Sequence, residues 1–362
     1  MLAAWARADG LSMQAMNTLA LVVIARNEAR CITRCLRSFA GHVDRMLVLD
    51  TGSTDETAAL ARAAGAEVRP FEWCDDFAAA RNAALRAAGA DWHLVVDADE
   101  WLDSGAEALA AWRTTPPHRL GLVDIRNTFD GPQGEGVATA AVARLLPGHV
   151  RYQGRIHEQP DTALPAAPSG LRLLHDGYAS AQKQAKADRN ERLLHLALAE
   201  QPHDPYLLYQ LGGELALRGA HTEAAGAYAQ ALQRVGPRAS YRGDLVRRML
   251  VALQALGEWG VAAELLEAEL QRYASSAYFM LTVGNVFWNW AEDQPAAAAA
   301  VLPMAEDAWQ QALQLSRQAP GAEARDVGHG LQLEQTGEHA ALSLAALYQR
   351  RAQASAPVPA AR

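Results

Sequence analysis

Three carboxylates gathered around one alanine, Asp97-Ala98-Asp99-Glu100, close the short apolar run Trp92-His93-Leu94-Val95-Val96. The run has the length of a buried strand. Side-chain alternation along an extended segment predicts that Asp97 and Asp99 point the same way. Two hard carboxylates at that spacing suit Mg²⁺ or Mn²⁺, which takes one or two of them and completes its shell with water and phosphate oxygens. In open α/β sheets, ligands bind at the carboxyl edge, where these acids would stand. An acid pair this short also ends many strands as plain solvated charge, so the surrounding elements have to decide between the two.

Those elements alternate. Residues 19–25 form a β-branched, apolar first strand that runs into Arg26-Asn27-Glu28. Cys31, Ile32, Cys35, Leu36 and Phe39 then lie on one stripe of a helix. Residues 45–50 are a second strand ending in Asp50. Gly52 permits a tight turn, and Ser53 with Glu56 has capping-box spacing for a helix over 54–64. A short strand over 67–69 follows. Asp75 or Asp76 then caps a helix that carries Arg81 and Asn82 and stops at Gly89. The acid-tipped strand comes next, and Asp103–Trp112 reads as a further helix. Residues 119–127 and 137–146 read as strands around a glycine-rich loop, and 171–175 as the last strand. Alternating strands and helices predict a mostly parallel sheet covered on both faces, with Asn27, Asp50 and Asp99 opening on one edge.

From residue 180 the pattern turns helical. Gly212, Gly219, Ala224, Tyr228 and Ala231 fall at the offsets of a tetratricopeptide unit. The frame recurs at Gly257, Ala262 and Leu266. A third copy at Gly284, Ala305, Trp309 and Ala312 carries about nine extra residues between its helices relative to that unit. A degenerate fourth surrounds Gly330 and Gly337. Small residues there let paired helices approach, and stacked units make a surface suited to an extended partner. The expected organisation is an extension over 1–18 that is disordered or precedes the true start, an α/β domain over 19–178, a repeat domain over 179–351 and a disordered tail over 352–362.

A net charge of −8 over 362 residues argues against a nucleic-acid binder. Three cysteines, Cys31, Cys35 and Cys74, are too few for a disulfide scaffold and point to a reducing compartment. No apolar run approaches the roughly 18 residues of a membrane span, and the first residues lack a convincing signal-peptide core. The expected location is the cytoplasm.

ArgAsnGlu after the first strand, AspThrGlySerThrAsp after the second, ArgAsn on the helix before the acidic strand and AspAlaAspGlu at its end occur together and in order. In this set the sequence resembles the family 2 glycosyltransferases of the Rossmann-like GT-A fold, over roughly residues 19–178. It is most similar to the bacterial branch with lipopolysaccharide-core glucosyltransferases and glycocin peptide S-glycosyltransferases, some of which carry tetratricopeptide repeats. The resemblance implies a metal-dependent, inverting transfer from a nucleotide sugar, UDP-linked by expectation. Ala25, Arg26, Asn27, Glu28, Asp50 and Gly52 would hold base and ribose. Arg81 would approach the diphosphate or the sugar. Asp97 would meet ribose or water of the metal's shell, Ala98 lines the donor, and Asp99 would bind Mn²⁺ or Mg²⁺ directly. His157 is the expected imidazole at the metal or diphosphate. Glu158 or Asp103 would take the acceptor's proton. His175 reads first as a structural histidine.

The acceptor would be a peptide, protein or glycan chosen with help from the repeats, which could also dock a protein partner. Two other readings remain open on the sequence: an interaction scaffold with an idle transferase domain, and a nucleotidyltransferase on a similar fold. The absence of a glycine-rich triphosphate loop near the start disfavours the second.

Overall fold

The structure is a computed structural model and describes residues 16–131, 134–175, 180–318 and 333–354. The expected N-terminal extension up to residue 15, loop residues Pro132 and Gln133, the strand exit at Asp176–Tyr178, Gly330 and the end of the tail lie outside the described residues. The chain divides into two compact units. The first is built on residues up to Arg126 with Ala141–Gly154 and the segment from Glu158. The second holds Asn127–Ala140, Arg155–His157 and the helices that follow.

The first unit carries β1 (Leu19–Ala25), α1 (Ile32–Phe39), β2 (Arg45–Asp50), α2 (Thr57–Ala63), β3 (Glu67–Pro70), α3 (Phe77–Ala88), β4 (Trp92–Asp97), β5 (Glu100–Ser104) and α4 (Ala108–Thr114). Along the chain then come β6 (Leu120–Gly131) and β7 (Gly134–Pro147), whose residues between Asn127 and Ala140 are counted with the second unit, and β8 (Tyr152–Gln153), β9 (Gln159–Pro160) and β10 (Ala166–His175). Eight strands form one sheet in the order β3-β2-β1-β4-β7-β6-β10-β5. β1 runs parallel to β2 and β4, and β2 to β3, while β7 joins β4 antiparallel and β10 joins β5 antiparallel. Sequence alternation sets the two faces of β1. Leu19, Leu21 and Val23 pack with Ile32, Leu36 and Phe39 of α1, whereas Ala20 and Val22 pack with Ala80, Ala84 and Leu85 of α3. Both faces are covered, as the uninterrupted apolar runs require.

Helix α3 begins and ends as its sequence dictates. Asp76 accepts from the Ala79 amide at 2.8 Å, and Gly89 takes the left-handed conformation at φ 57°. Helix α2 departs from expectation. It starts at Thr57, and its N-cap Glu56 makes no side-chain capping bond. The Ser53 hydroxyl accepts from the Asn27 amide instead, and Asp55 accepts from Thr57. The capping box is lost because Ser53 ties the loop after β2 to the loop after β1. The helix expected from Asp103 is also corrected: β5 occupies Glu100–Ser104, and α4 begins only at Ala108.

The second unit contains α5 (Ser180–Glu200), α6 (Pro205–Leu217), α7 (His221–Leu232), α8 (Arg242–Leu256), α9 (Trp259–Tyr273), α10 (Ala277–Asp293), α11 (Ala298–Ser316) and α12 (Leu333–Ala354). Gly212 and Gly284 leave room for Tyr228 and Trp309 of the following helix: a Cβ built there would lie 2.4 Å and 2.3 Å from the respective rings. Where the third repeat was expected to carry extra residues, α10 and α11 run for 17 and 19 residues, with a short 3₁₀ turn at Pro295–Ala297 between them. No helix among the described residues is long and apolar enough to cross a membrane.

Candidate active site

The parallel register brings the loop ends together. Ala25 pairs with Asp50, and Ile24 with Asp97, so three strand ends share one edge. The first two loops are stitched by local bonds. The Thr51 amide donates to the Ala25 carbonyl at 2.9 Å, the Glu28 amide to Thr57 Oγ1 at 2.7 Å, and the Ser53 amide to Asp50 Oδ1 at 2.8 Å. Asn27 sits in the left-handed region at φ 57°, and its side-chain oxygen accepts from the Thr54 amide at 2.8 Å. Asparagine tolerates that backbone better than most residues. Gly52, at φ 100°, makes the turn that expectation assigned to it. Arg26 is exposed. The Glu28 carboxylate accepts from Cys31 Sγ at 3.2 Å.

Asp97 and Asp99 do not share a strand. β4 ends at Asp97, and Ala98 and Asp99 form a turn before β5. Strand alternation therefore cannot align the two aspartates. Glu100 causes the tight turn by reaching back, its Oε2 accepting from the Asp97 amide at 2.9 Å. Each aspartate has its own cationic neighbour. Asp97 Oδ1 accepts from Arg81 Nη2 at 2.8 Å and Oδ2 from Arg144 Nη2 at 2.6 Å. Asp99 Oδ2 lies 3.2 Å from His175 Nε2. Arg144 also reaches Glu100 Oε1 at 3.2 Å, and Arg81 Nε donates to Glu158.

Burial sharpens these charges. Burial alone would raise Asp97, but the Arg144 and Arg81 guanidinium groups hold its carboxyl well below the usual range. Burial, opposed by Arg144 and reinforced by the Asp97 charge, pushes Glu100 upward. Burial disfavours the His175 cation, yet the Asp99 hydrogen bond and the charges of Asp99, Glu100 and Asp97 raise its pKa. These three acids thus lie within the electrostatic reach of one imidazole.

Glu158 joins this cluster through Arg81, whereas Asp103 is exposed on β5. Asn82 is a clamp for β8: its amide donates to the Tyr152 carbonyl and its oxygen accepts from the Tyr152 amide, both at 2.8 Å. His157, at φ 50°, belongs to the second unit, where its Nε2 lies 4.0 Å from Glu214. Trp92 is core, edge-on to Trp112, and Trp101 lies under Arg34. Among the described residues no group of three or more His, Cys, Asp or Glu is set to enclose a metal by itself.

Sequence reasoning leaves Arg144 and Tyr152 unassigned and underweights His175. Arg144 does carry a signal. It is a lone cation in the apolar run Ala143-Arg144-Leu145-Leu146, and a buried arginine needs partners. Tyr152 carries no such signal.

Residues 20–136, which include the first three strand ends and both aspartates, match the family described as Glycosyl transferase family 2. A TPR repeat-containing protein of Synechococcus elongatus is 33% identical over 273 residues, covering 71% of this chain and 67% of the relative. The SPbeta prophage-derived glycosyltransferase SunS of Bacillus subtilis is 26% identical over 57% of this chain, which spans about half, 51%, of that relative's length. Among solved structures, glucosyl-3-phosphoglycerate synthase from Mycobacterium tuberculosis in complex with Mn²⁺, uridine diphosphate and glucosyl-3-phosphoglycerate is 26% identical, covering 31% of this chain and 44% of that one at a TM-score of 0.26. With the carboxylate edge of its sheet inside the matched span, the chain carries a glycosyl transferase family 2 domain over residues 20–136.

Proposed function

We propose that the first unit transfers a sugar from a nucleotide sugar, UDP-linked, to a peptide, protein or glycan acceptor that the helical unit helps to select, and that Mn²⁺ or Mg²⁺ assists. One observation carries the reading: Arg81 gathers Asp97 and Glu158 where β4 ends, beside Asp99. Family membership supplies the reaction class.

The side chains fit a divalent cation. The four carboxylates Asp97, Asp99, Glu100 and Glu158 gather around the guanidinium groups of Arg81 and Arg144 and the His175 imidazole, a cluster rich in hard oxygen donors. Carboxylates gathered this closely suit a divalent cation, which would add positive charge among them. Asp99 would hold the metal directly, Asp97 would support it or the ribose, and His175 would be the imidazole beside Asp99. Bound there, the metal would stabilise the negative charge of the departing diphosphate.

The protein's own groups supply the rest. The Asn27 and Asp50 loops frame the nucleotide. Glu158, oriented by Arg81, accepts the proton of an acceptor hydroxyl or thiol as that atom attacks the anomeric carbon. The bond from that carbon to the diphosphate oxygen breaks, and the nucleoside diphosphate leaves. Family resemblance, not geometry, supports inversion.

The test is a screen of nucleotide sugars for hydrolysis or transfer, with and without Mn²⁺. Wild type is expected to turn over one of them only with metal, and Asp99→Asn to abolish it. No turnover with any donor, together with a partner still retained by the helical unit, would favour the scaffold reading.

A further inference from the structure

We propose that Arg144 is a diphosphate-binding residue which, without donor, rests on Asp97. The inference depends on the nucleotide-sugar reading above. The two arginines of the site differ in how they are engaged. Arg81 is committed at both ends of its fork, Nη2 to Asp97 and Nε to Glu158. Arg144 makes all its carboxylate contacts through one nitrogen: Nη2 serves Asp97 at 2.6 Å and Glu100 at 3.2 Å. Its Nε is buried with no hydrogen-bond partner among the described residues.

An arginine fork offers five N–H donors and matches phosphate oxygens in pairs. Here the Nε donor of that fork is unmet among the described residues, in a place where an unmet donor costs about 1–3 kcal/mol. A second idle donor lies in the same field. The Tyr152 hydroxyl is buried and also lacks a hydrogen-bond partner among the described residues, and Arg81, Arg144, Glu158 and Asp97 all act on it electrostatically. Buried donors left unmet in a native fold ask for a ligand that accepts. The acceptor that this reaction brings to the carboxyl edge of β4 is a diphosphate.

The exchange is electrostatically balanced. Arg144 now offsets the charge on Asp97 and Glu100. A divalent cation held by the carboxylates would take over that task and leave the guanidinium available to a second anion. Arg81 then positions Asp97 and Glu158, and Arg144 takes the anion contact that the sequence assigned to Arg81.

The test compares wild type with Arg144→Lys and Arg144→Gln in the full chain, using calorimetry with Mn²⁺ alone, UDP plus Mn²⁺, and uridine plus Mn²⁺. The lysine variant keeps the charge that Asp97 and Glu100 need, and thermal melting checks the fold of both. The expected result is a loss of about tenfold or more in UDP affinity for both variants, the size of one charge-assisted contact. Uridine affinity should stay within about twofold of wild type, and Mn²⁺ alone should bind Arg144→Gln at least as well as wild type. If UDP and uridine weaken together, or neither weakens in a folded variant, Arg144 is only a structural counter-ion and the proposal fails. If wild type binds neither Mn²⁺ nor UDP, the donor reading itself fails and takes this inference with it.

Discussion

His175 Nε2 stands 3.2 Å from Asp99 Oδ2, joining the last strand of the sheet to the turn that follows β4. The register supports the contact, since His175 pairs with Glu100 across β10 and β5. An imidazole beside a carboxylate of a metal site either ligates the ion or orients the carboxylate that does. His175→Ala is therefore expected to weaken Mn²⁺ binding about 10–100-fold, measured by electron paramagnetic resonance of free Mn²⁺. His175→Gln retains a donor toward Asp99 and should recover part of the loss. Unchanged Mn²⁺ affinity in the alanine variant would remove His175 from the site.

Glu158 and Asp103 compete for the role of base, and their surroundings differ. Glu158 is tied to the Arg81–Asp97 pair, while Asp103 is exposed on β5. Glu158→Gln is isosteric and leaves Arg81 bound to Asp97. The expected result is a fall in kcat of about 100-fold or more, with the donor KM little changed. Asp103→Asn should stay within about threefold of wild type, because general-base loss on the scale above would be absent. The reverse pattern would move the base to Asp103.

How far the sequence could be read depends on the range of the interactions involved. β1, β2 and β4 were legible because apolar runs of strand length are local signals, and α3 because Asp76 and Gly89 mark its ends. That Asp97 and Asp99 do not share a strand was hidden by a single bond, from the Asp97 amide to Glu100, which accompanies the turn right after the strand. The capping box after β2 misled for a related reason: Ser53 was claimed by Asn27, a residue on another loop. Arg144 meets Asp97 only after the fold brings β7 against β4. A sequence reading shows that this arginine needs an acid but not which one.

His93 gives a pH dependence whose sign is opposite to that of a salt-bridged histidine. It is buried on β4, its Nε2 accepts from the Ala90 amide at 3.2 Å, and its Nδ1 has no hydrogen-bond partner among the described residues. Burial, helped by the Arg151 charge, lowers its pKa to about 4. Above pH ~6.5 the ring is neutral in both folded and unfolded chains, and no stability is lost. Between ~6.5 and 4 the unfolded chain takes up a proton that the folded chain refuses, so stability falls with pH. The loss approaches about 3 kcal/mol near pH 4. His93→Gln keeps an acceptor for Ala90 without a titrating group. Urea melts from pH 7 to 4.5 should show wild type losing stability faster than the variant, and parallel curves would contradict this account.

Glycine in the helical unit has two opposite meanings, and one substitution tests both. Gly284 in α10 faces Trp309, a 2% exposed ring of α11, and a Cβ there would lie 2.3 Å from its Cδ1. Gly226 in α7 has no atom within 4 Å of the same added carbon. Alanine improves helix propensity by about 1 kcal/mol at either site, so the difference between the variants isolates the steric term. At Gly284 the methyl must push the indole or part the two helices, an overpacking cost of about 1–3 kcal/mol. Trp309 has little freedom to yield, because its Nε1 donates to Asn285 at 3.0 Å from the same helix as the glycine. Gly226→Ala is thus expected to raise the melting temperature of the helical unit and Gly284→Ala to lower it, as read by circular dichroism. Equal shifts would mean that the Gly284–Trp309 approach does not set the spacing of α10 and α11.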